Sequence, residues 1–131
     1  MQHSILIVDD DPFILTTLKK RFDSWGTDVY YAETPSQAKE ILAKVTPDII
    51  LLDLLLTHDD GSQEVLDFLK IEQRLSNVPV IVLTNMDKPE LKQMLLGQGV
   101  KEFLIKGSMS LDQIYDKVMS YLEPGEIVKK G

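Results

Sequence analysis

The sequence contains no cysteine. That absence excludes disulfide frameworks, thiolate metal centres and cysteine nucleophiles, and it fits a reducing cytoplasm. Long apolar runs are also missing. The longest, Ile49–Leu52 and Leu54–Leu56, are split by Asp53, and together they fall far short of the about 20 residues that a bilayer-spanning helix needs. The start MQHSILIVDD has no basic flank, no long apolar core and no small-residue cleavage pattern, so no signal peptide is expected and the protein reads as soluble. Basic charge is scarce: 14 Lys and Arg against 21 Asp and Glu leave a net charge of -7, and the lysines are scattered. Direct nucleic-acid binding is therefore disfavoured, and no membrane contact is expected. The one basic cluster, Lys129 and Lys130, reads as a solubilising tail.

A chain of 131 residues with 44% hydrophobic content suits one domain with one sizeable core. The expected domain covers residues 1–123, and EPGEIVKKG, from Glu123 onward, reads as an ending or the start of a linker, with residues 124–131 as a tail. Short β-type runs alternate with amphipathic patterns. Ser4 to Val8 is the first strand; Asp11 then caps a helix that Pro12 begins, with Ile14, Leu18 and Phe22 at helical spacing up to Trp25 and Gly26. Asp28 to Ala32 is a second strand, and Thr34 with Pro35 repeats the cap-then-proline signal for a helix carrying Ala38, Ile41, Leu42 and Val45. Asp48 to Asp53 is nearly all branched aliphatic, the mark of a central parallel strand covered on both faces. A helix is predicted from about Ser62 to Leu75, a fourth strand from Val80 to Leu83 ending in Thr84, a helix near Lys88 to Leu96, and a fifth strand from Val100 to Ile105. Ser110 with Gln113 forms a capping-box pattern for a last helix bearing Leu111, Ile114, Val118 and Leu122. Strict alternation implies an α/β fold: a doubly wound, five-stranded parallel sheet with right-handed crossovers and helices on both faces.

The stretch ILIVDDDPFI ends four aliphatic residues in three aspartates, and like charges about 4 Å apart cost on the order of 4 kcal/mol at an effective dielectric of ~20. In open parallel sheets chemistry gathers beyond the carboxyl ends of the strands, where strand order reverses. Those ends supply Asp9 and Asp10, then Asp53, Thr84 and Lys106, while strand two supplies only Glu33. If the order is 2-1-3-4-5, Asp9, Asp10 and Asp53 converge, and a hydroxyl and an ammonium share their rim. Hard oxygen ligands in a small group suit Mg2+, which also neutralises the cluster. A carboxylate can attack phosphorus, and Lys106 and Thr84 could contact phosphoryl oxygens. Each residue also has a plainer reading. Asp11 is a solvated helix cap, Thr84 alone could cap the next helix, and Lys106 alone would be solvated.

Taken together, ILIVDDDP, PDIILLDLLLTHDDG, VPVIVLTN and KEFLIKGS resemble, in order and spacing, the response-regulator receiver domains of two-component signalling, the CheY-like family with flavodoxin-like topology. The resemblance covers nearly the whole chain. It implies that Asp53 accepts a phosphoryl group from the phosphohistidine of a sensor histidine kinase or a histidine phosphotransfer protein. It implies that Asp10 binds Mg2+ directly, that Asp9 helps through water, and that Leu55 offers a backbone carbonyl. Thr84 and Lys106 would bind the phosphoryl group, and Phe103 matches the switch aromatic, with plain core packing as its other reading. The implied output is a shift of the face formed by helix 4, strand 5 and helix 5 towards a downstream protein, with a phosphorylation-driven dimer left open. The chain would then be a signalling receiver that catalyses only its own phosphotransfer and dephosphorylation.

Four positions depart from the family pattern. Thr57 and Gly107 stand where proline is frequent, Asn85 replaces a smaller residue and narrows access to an acyl phosphate, and Phe103 lacks a tyrosine hydroxyl. Before glycine a cis bond costs about 2.5 to 4 kcal/mol, so Lys106–Gly107 is expected to be trans unless its surroundings hold it cis. A haloacid-dehalogenase-type phosphatase would need a second carboxylate two residues after the nucleophile, and that position is Leu55. A module that keeps the fold without the chemistry is the other rival. A calcium loop around HDDG fails because its first ligand position is Leu56, and His58 reads as a solvated loop residue.

Overall fold

The computed structural model describes residues 3–54 and 61–123. Five parallel strands, β1 (Ser4–Val8), β2 (Asp28–Ala32), β3 (Ile49–Asp53), β4 (Val80–Thr84) and β5 (Glu102–Ile105), form one sheet in the order β2-β1-β3-β4-β5. The helices between and after them are α1 (Pro12–Asp23), α2 (Pro35–Leu42), α3 (Gly61–Ile71), α4 (Pro89–Gly97) and α5 (Leu111–Leu122). The strand order is the one implied by the flavodoxin-like resemblance, and it leaves β2 at the edge of the sheet.

Side chains on a strand point alternately to its two faces, and the core divides accordingly. Leu6, Val8, Ile50, Leu52, Val80, Val82 and Phe103 face one layer, with α2, α3 and α4. Ile5, Ile7, Ile49, Leu51, Ile81, Leu83 and Leu104 face the other, with α1 and α5. Each full burial of such an aliphatic side chain is worth about 1.5–3 kcal/mol. The central strands β3 and β4 are buried at every position, which is why their sequences carry no polar alternation.

The helix starts follow their capping residues. The Asp11 carboxylate accepts from the Phe13 N–H, Thr34 Oγ1 accepts from the Gln37 N–H, and Ser110 with Gln113 completes both halves of a capping box. Several boundaries differ from the sequence expectation; α2, for one, ends at Leu42, so Val45 lies beyond it. The third helix stops at Ile71, because Glu72 turns extended (φ -85°, ψ 108°), and Gln73–Leu75 forms a separate 3-10 turn. β5 begins at Glu102 rather than Val100, because Gly99 takes φ +98° and Val100 N donates back to Leu95 O at 3.2 Å. β3 begins at Ile49; the Asp48 N–H still donates to Ser4 O at 2.9 Å, but the Ser4 N–H goes to the Asp48 carboxylate at 2.8 Å.

Candidate functional site

The register of the sheet brings the strand ends to one level. Val8 lies opposite Leu52, Asp53 opposite Leu83, and Thr84 opposite Ile105, so Asp9, Asp53, Thr84 and Lys106 all emerge on the same rim. Asp9 and Asp53 are 1% and 2% exposed, and Thr84 is fully buried. Asp10 lies exposed at the edge of the group. One carboxylate oxygen from each of Asp9, Asp10 and Asp53 falls within 4.8 Å of the others. Glu33 is not part of the cluster; its N–H bonds the Gln37 side chain.

Lys106 sits between the two buried acids. Its Nζ donates to Asp53 Oδ2 at 3.1 Å and lies 3.4 Å from Asp9 Oδ2. Burial opposes the charge on Lys106, but the Asp53 and Asp9 carboxylates together outweigh it and push its pKa up. Asp9 is pushed up to about 6, chiefly by burial and further by the Asp53 charge, against the opposing pull of the Asp11 N–H bond and of Lys106. Repulsion between the two buried carboxylates is thus offset from within the chain by the interposed ammonium.

Two backbone groups hold the site side chains. The Asp11 N–H donates to Asp9 Oδ1 at 2.9 Å, and the Met86 N–H donates to Thr84 Oγ1 at 3.0 Å. Both are turns in which a side chain bonds its own backbone two residues on, a habit of Asp and Thr that the sequence does carry as a signal. Thr84 therefore orients its own hydroxyl through the following loop rather than capping α4, whose N-cap is Lys88. Phe103 is 9% exposed and packs into the layer that contains Leu95 and Val100, so it is turned inwards in this structure. The Lys106–Gly107 bond is trans. Leu55, Thr57 and His58 lie outside the described residues.

The family model for the response regulator receiver domain matches residues 5–119. The chain belongs to this family. It is a receiver domain of two-component response regulators, with Asp9, Asp10 and Asp53 forming its acidic pocket. Among similar proteins, the sensory transduction protein BceR of Bacillus subtilis is 29% identical over 102 residues, covering 78% of this chain and 42% of its own length. The transcriptional regulatory protein GlrR of Escherichia coli is 32% identical over 119 residues, covering 91% of this receiver and 26% of its own length. The receiver thus spans less than half the length of the curated relatives it matches. A solved receiver domain of a Francisella response regulator superposes with a TM-score of 0.77 at 28% identity, covering 91% of this chain and 95% of that one. Among the described residues no helix is long and apolar enough to cross a membrane.

Proposed function

We propose that this receiver is the phosphoacceptor of a cytoplasmic phosphorelay, in which Asp53 takes a phosphoryl group from the phosphohistidine of a sensor histidine kinase or a histidine phosphotransfer protein. The observation that carries this reading is the pairing of buried Asp53 with Lys106 at 3.1 Å beside two further carboxylates. A divalent cation fits the donor set. Among the described residues Asp9 Oδ2 is buried with no hydrogen-bond donor closer than Lys106 Nζ at 3.4 Å, and the group offers only hard oxygen ligands. Asp10 would bind Mg2+ directly from the rim, Asp9 through water, and Asp53 with the Leu55 carbonyl would complete the protein's share. When bound, Mg2+ would offset the negative charge gathered on the carboxylates and the phosphoryl oxygens.

A carboxylate oxygen of Asp53 forms the new bond to phosphorus while the P–N bond breaks, and its electron pair returns to the donor imidazole, which takes up a proton. Lys106 follows the charge from the carboxylate to the phosphoryl oxygens. The Thr84 hydroxyl accepts the Met86 N–H, which leaves its own proton to donate to a phosphoryl oxygen. The chain catalyses its own phosphotransfer and dephosphorylation and turns over no other substrate. Output passes through the face of α4, β5 and α5 to a downstream protein, or to a second copy of the phosphorylated chain. Because Phe103 already packs inwards, switching consists of a change in how often that arrangement is occupied.

Acetyl phosphate with Mg2+ tests the proposal. Intact-mass spectrometry should show one added phosphate that maps to Asp53 and is lost in Asp53→Asn; a wild-type chain that gains no mass refutes the phosphoacceptor reading.

A further inference from the structure

α4 is the least anchored helix of the domain. It fully buries only Leu95, with Leu91 partly covered, whereas α5 buries five side chains. Its N-cap, Lys88, makes no side-chain capping bond, unlike Asp11, Thr34 and Ser110 before α1, α2 and α5. Met94 and Leu96 are 51% and 40% exposed. Few buried apolar contacts and an uncapped start mark a segment of low local stability.

Its far end is held differently. Gln98, which ends α4, exchanges two amide hydrogen bonds with Gln63 of α3. Gln63 Nε2 donates to Gln98 Oε1 at 2.7 Å, and Gln98 Nε2 donates back to Gln63 Oε1 at 3.2 Å. Lys70 Nζ donates to the same Gln98 Oε1 at 3.0 Å, and Gln63 Nε2 also donates to Asp67 Oδ1 at 2.8 Å. An ammonium can only donate and a carboxylate only accept, so these two neighbours set the orientation of both amides. Directly after Gln98 the chain turns at Gly99, and buried Val100 returns its N–H to Leu95 O.

We propose that Gln98 is the fixed pivot of α4, so that this helix opens from its N-terminal end, the end that follows Thr84 and Met86. The opening asymmetry stands on the hydrogen bonds alone; its use in signalling rests on the phosphoacceptor reading above. A pull on Thr84 then reaches the free end of α4 and becomes a rotation about Gln98 rather than a slide of the whole helix.

Amide hydrogen exchange, followed by NMR on the full chain at Lys92 through Gly97, tests this in wild type, Gln63→Ala and Gln98→Ala. Wild-type protection should rise towards Gly97. In either variant Leu95, Leu96 and Gly97 should exchange about two- to tenfold faster, as the loss of one net hydrogen bond predicts, with α5 unchanged. The double variant should be no worse than either single one. Flat protection along wild-type α4, or unchanged rates in both variants, overturns the pivot. Repeating the exchange after acetyl phosphate and Mg2+ keeps the two readings apart. If Asp53 gains mass, faster exchange at Lys92 and Gln93 with Leu95, Leu96 and Gly97 unchanged supports the pivot, and uniform acceleration overturns it. If Asp53 gains none, the phosphoacceptor reading fails, and the unphosphorylated exchange pattern alone judges the pivot.

Discussion

Neighbouring aspartates in one stretch do different work because their burial differs. Asp9 is buried and holds its proton up to about pH 6, whereas an unfolded aspartate releases it near pH 3.8. The folded state therefore binds this proton more tightly, and the contribution of Asp9 to stability falls as pH rises from about 4 to about 6. Asp9→Asn removes that loss. In metal-free buffer its thermal midpoint, relative to wild type, should climb between pH 4 and pH 7; a constant difference over that range would show that Asp9 is not the titrating group. A second buried oxygen makes a separate prediction. Tyr115 is 1% exposed, its hydroxyl has no hydrogen-bond partner among the described residues, and burial pushes its pKa up. Its ring does the useful packing, against Phe22 at 4.8 Å between centroids and beneath the Arg21 guanidinium at 4.4 Å. Tyr115→Phe keeps those contacts and deletes an unpaired polar atom, so urea unfolding should show an equal or higher midpoint. A loss of more than about 1 kcal/mol would mean that the hydroxyl is bonded through a bound water.

At the scale of elements, the helix starts carry the clearest local instructions. Asp11 caps α1 through its carboxylate, while its backbone N–H holds Asp9. Asp11→Ala should cost about 1 kcal/mol of stability, because it loses the cap, yet it keeps the N–H and should leave Mg2+ affinity close to wild type. Asp10→Ala should do the reverse, weakening Mg2+ binding with little loss, or even a gain, in metal-free stability. Calorimetric titration with parallel thermal melts checks both, and equal effects on affinity would contradict this division. Capping residues, proline at the first helical turn and the apolar stripes were legible in the sequence because each is a local matter of dihedral angles and nearest neighbours. The end of α3 and the start of β5 were not. Leu75 and Val100 continue the apolar pattern, but Glu72 and Gly99 redirect the backbone, and burial in the tertiary core rather than helical or strand geometry explains why those two side chains are apolar.

Over the whole molecule, the sheet order decides which residues can cooperate. Asp9 and Asp53 are distant in sequence and meet because β1 pairs with β3, and Lys106 reaches them because β5 closes the sheet beyond β4. A ligand that needs this assembled cluster must favour the folded state. Mg2+ at ten times its dissociation constant should therefore raise unfolding free energy by about 1.4 kcal/mol, an increase that thermal melts should show in wild type and largely lose in Asp10→Ala. An equal rise in both would place the cation elsewhere. The sequence by itself determined the alternating α/β architecture, the two-sided burial of β3 and β4, and the candidate roles of Asp9, Asp10, Asp53, Thr84 and Lys106. These follow from residue type, periodicity and motif spacing, which the linear chain carries in full. Only the tertiary structure decided that Asp9 is buried while Asp10 is exposed, that Lys106 lies between two carboxylates, that Phe103 faces inwards and that Gln63 meets Gln98. Each of these depends on the distance between segments far apart in the chain, and that distance is set by packing across the sheet rather than by any local preference.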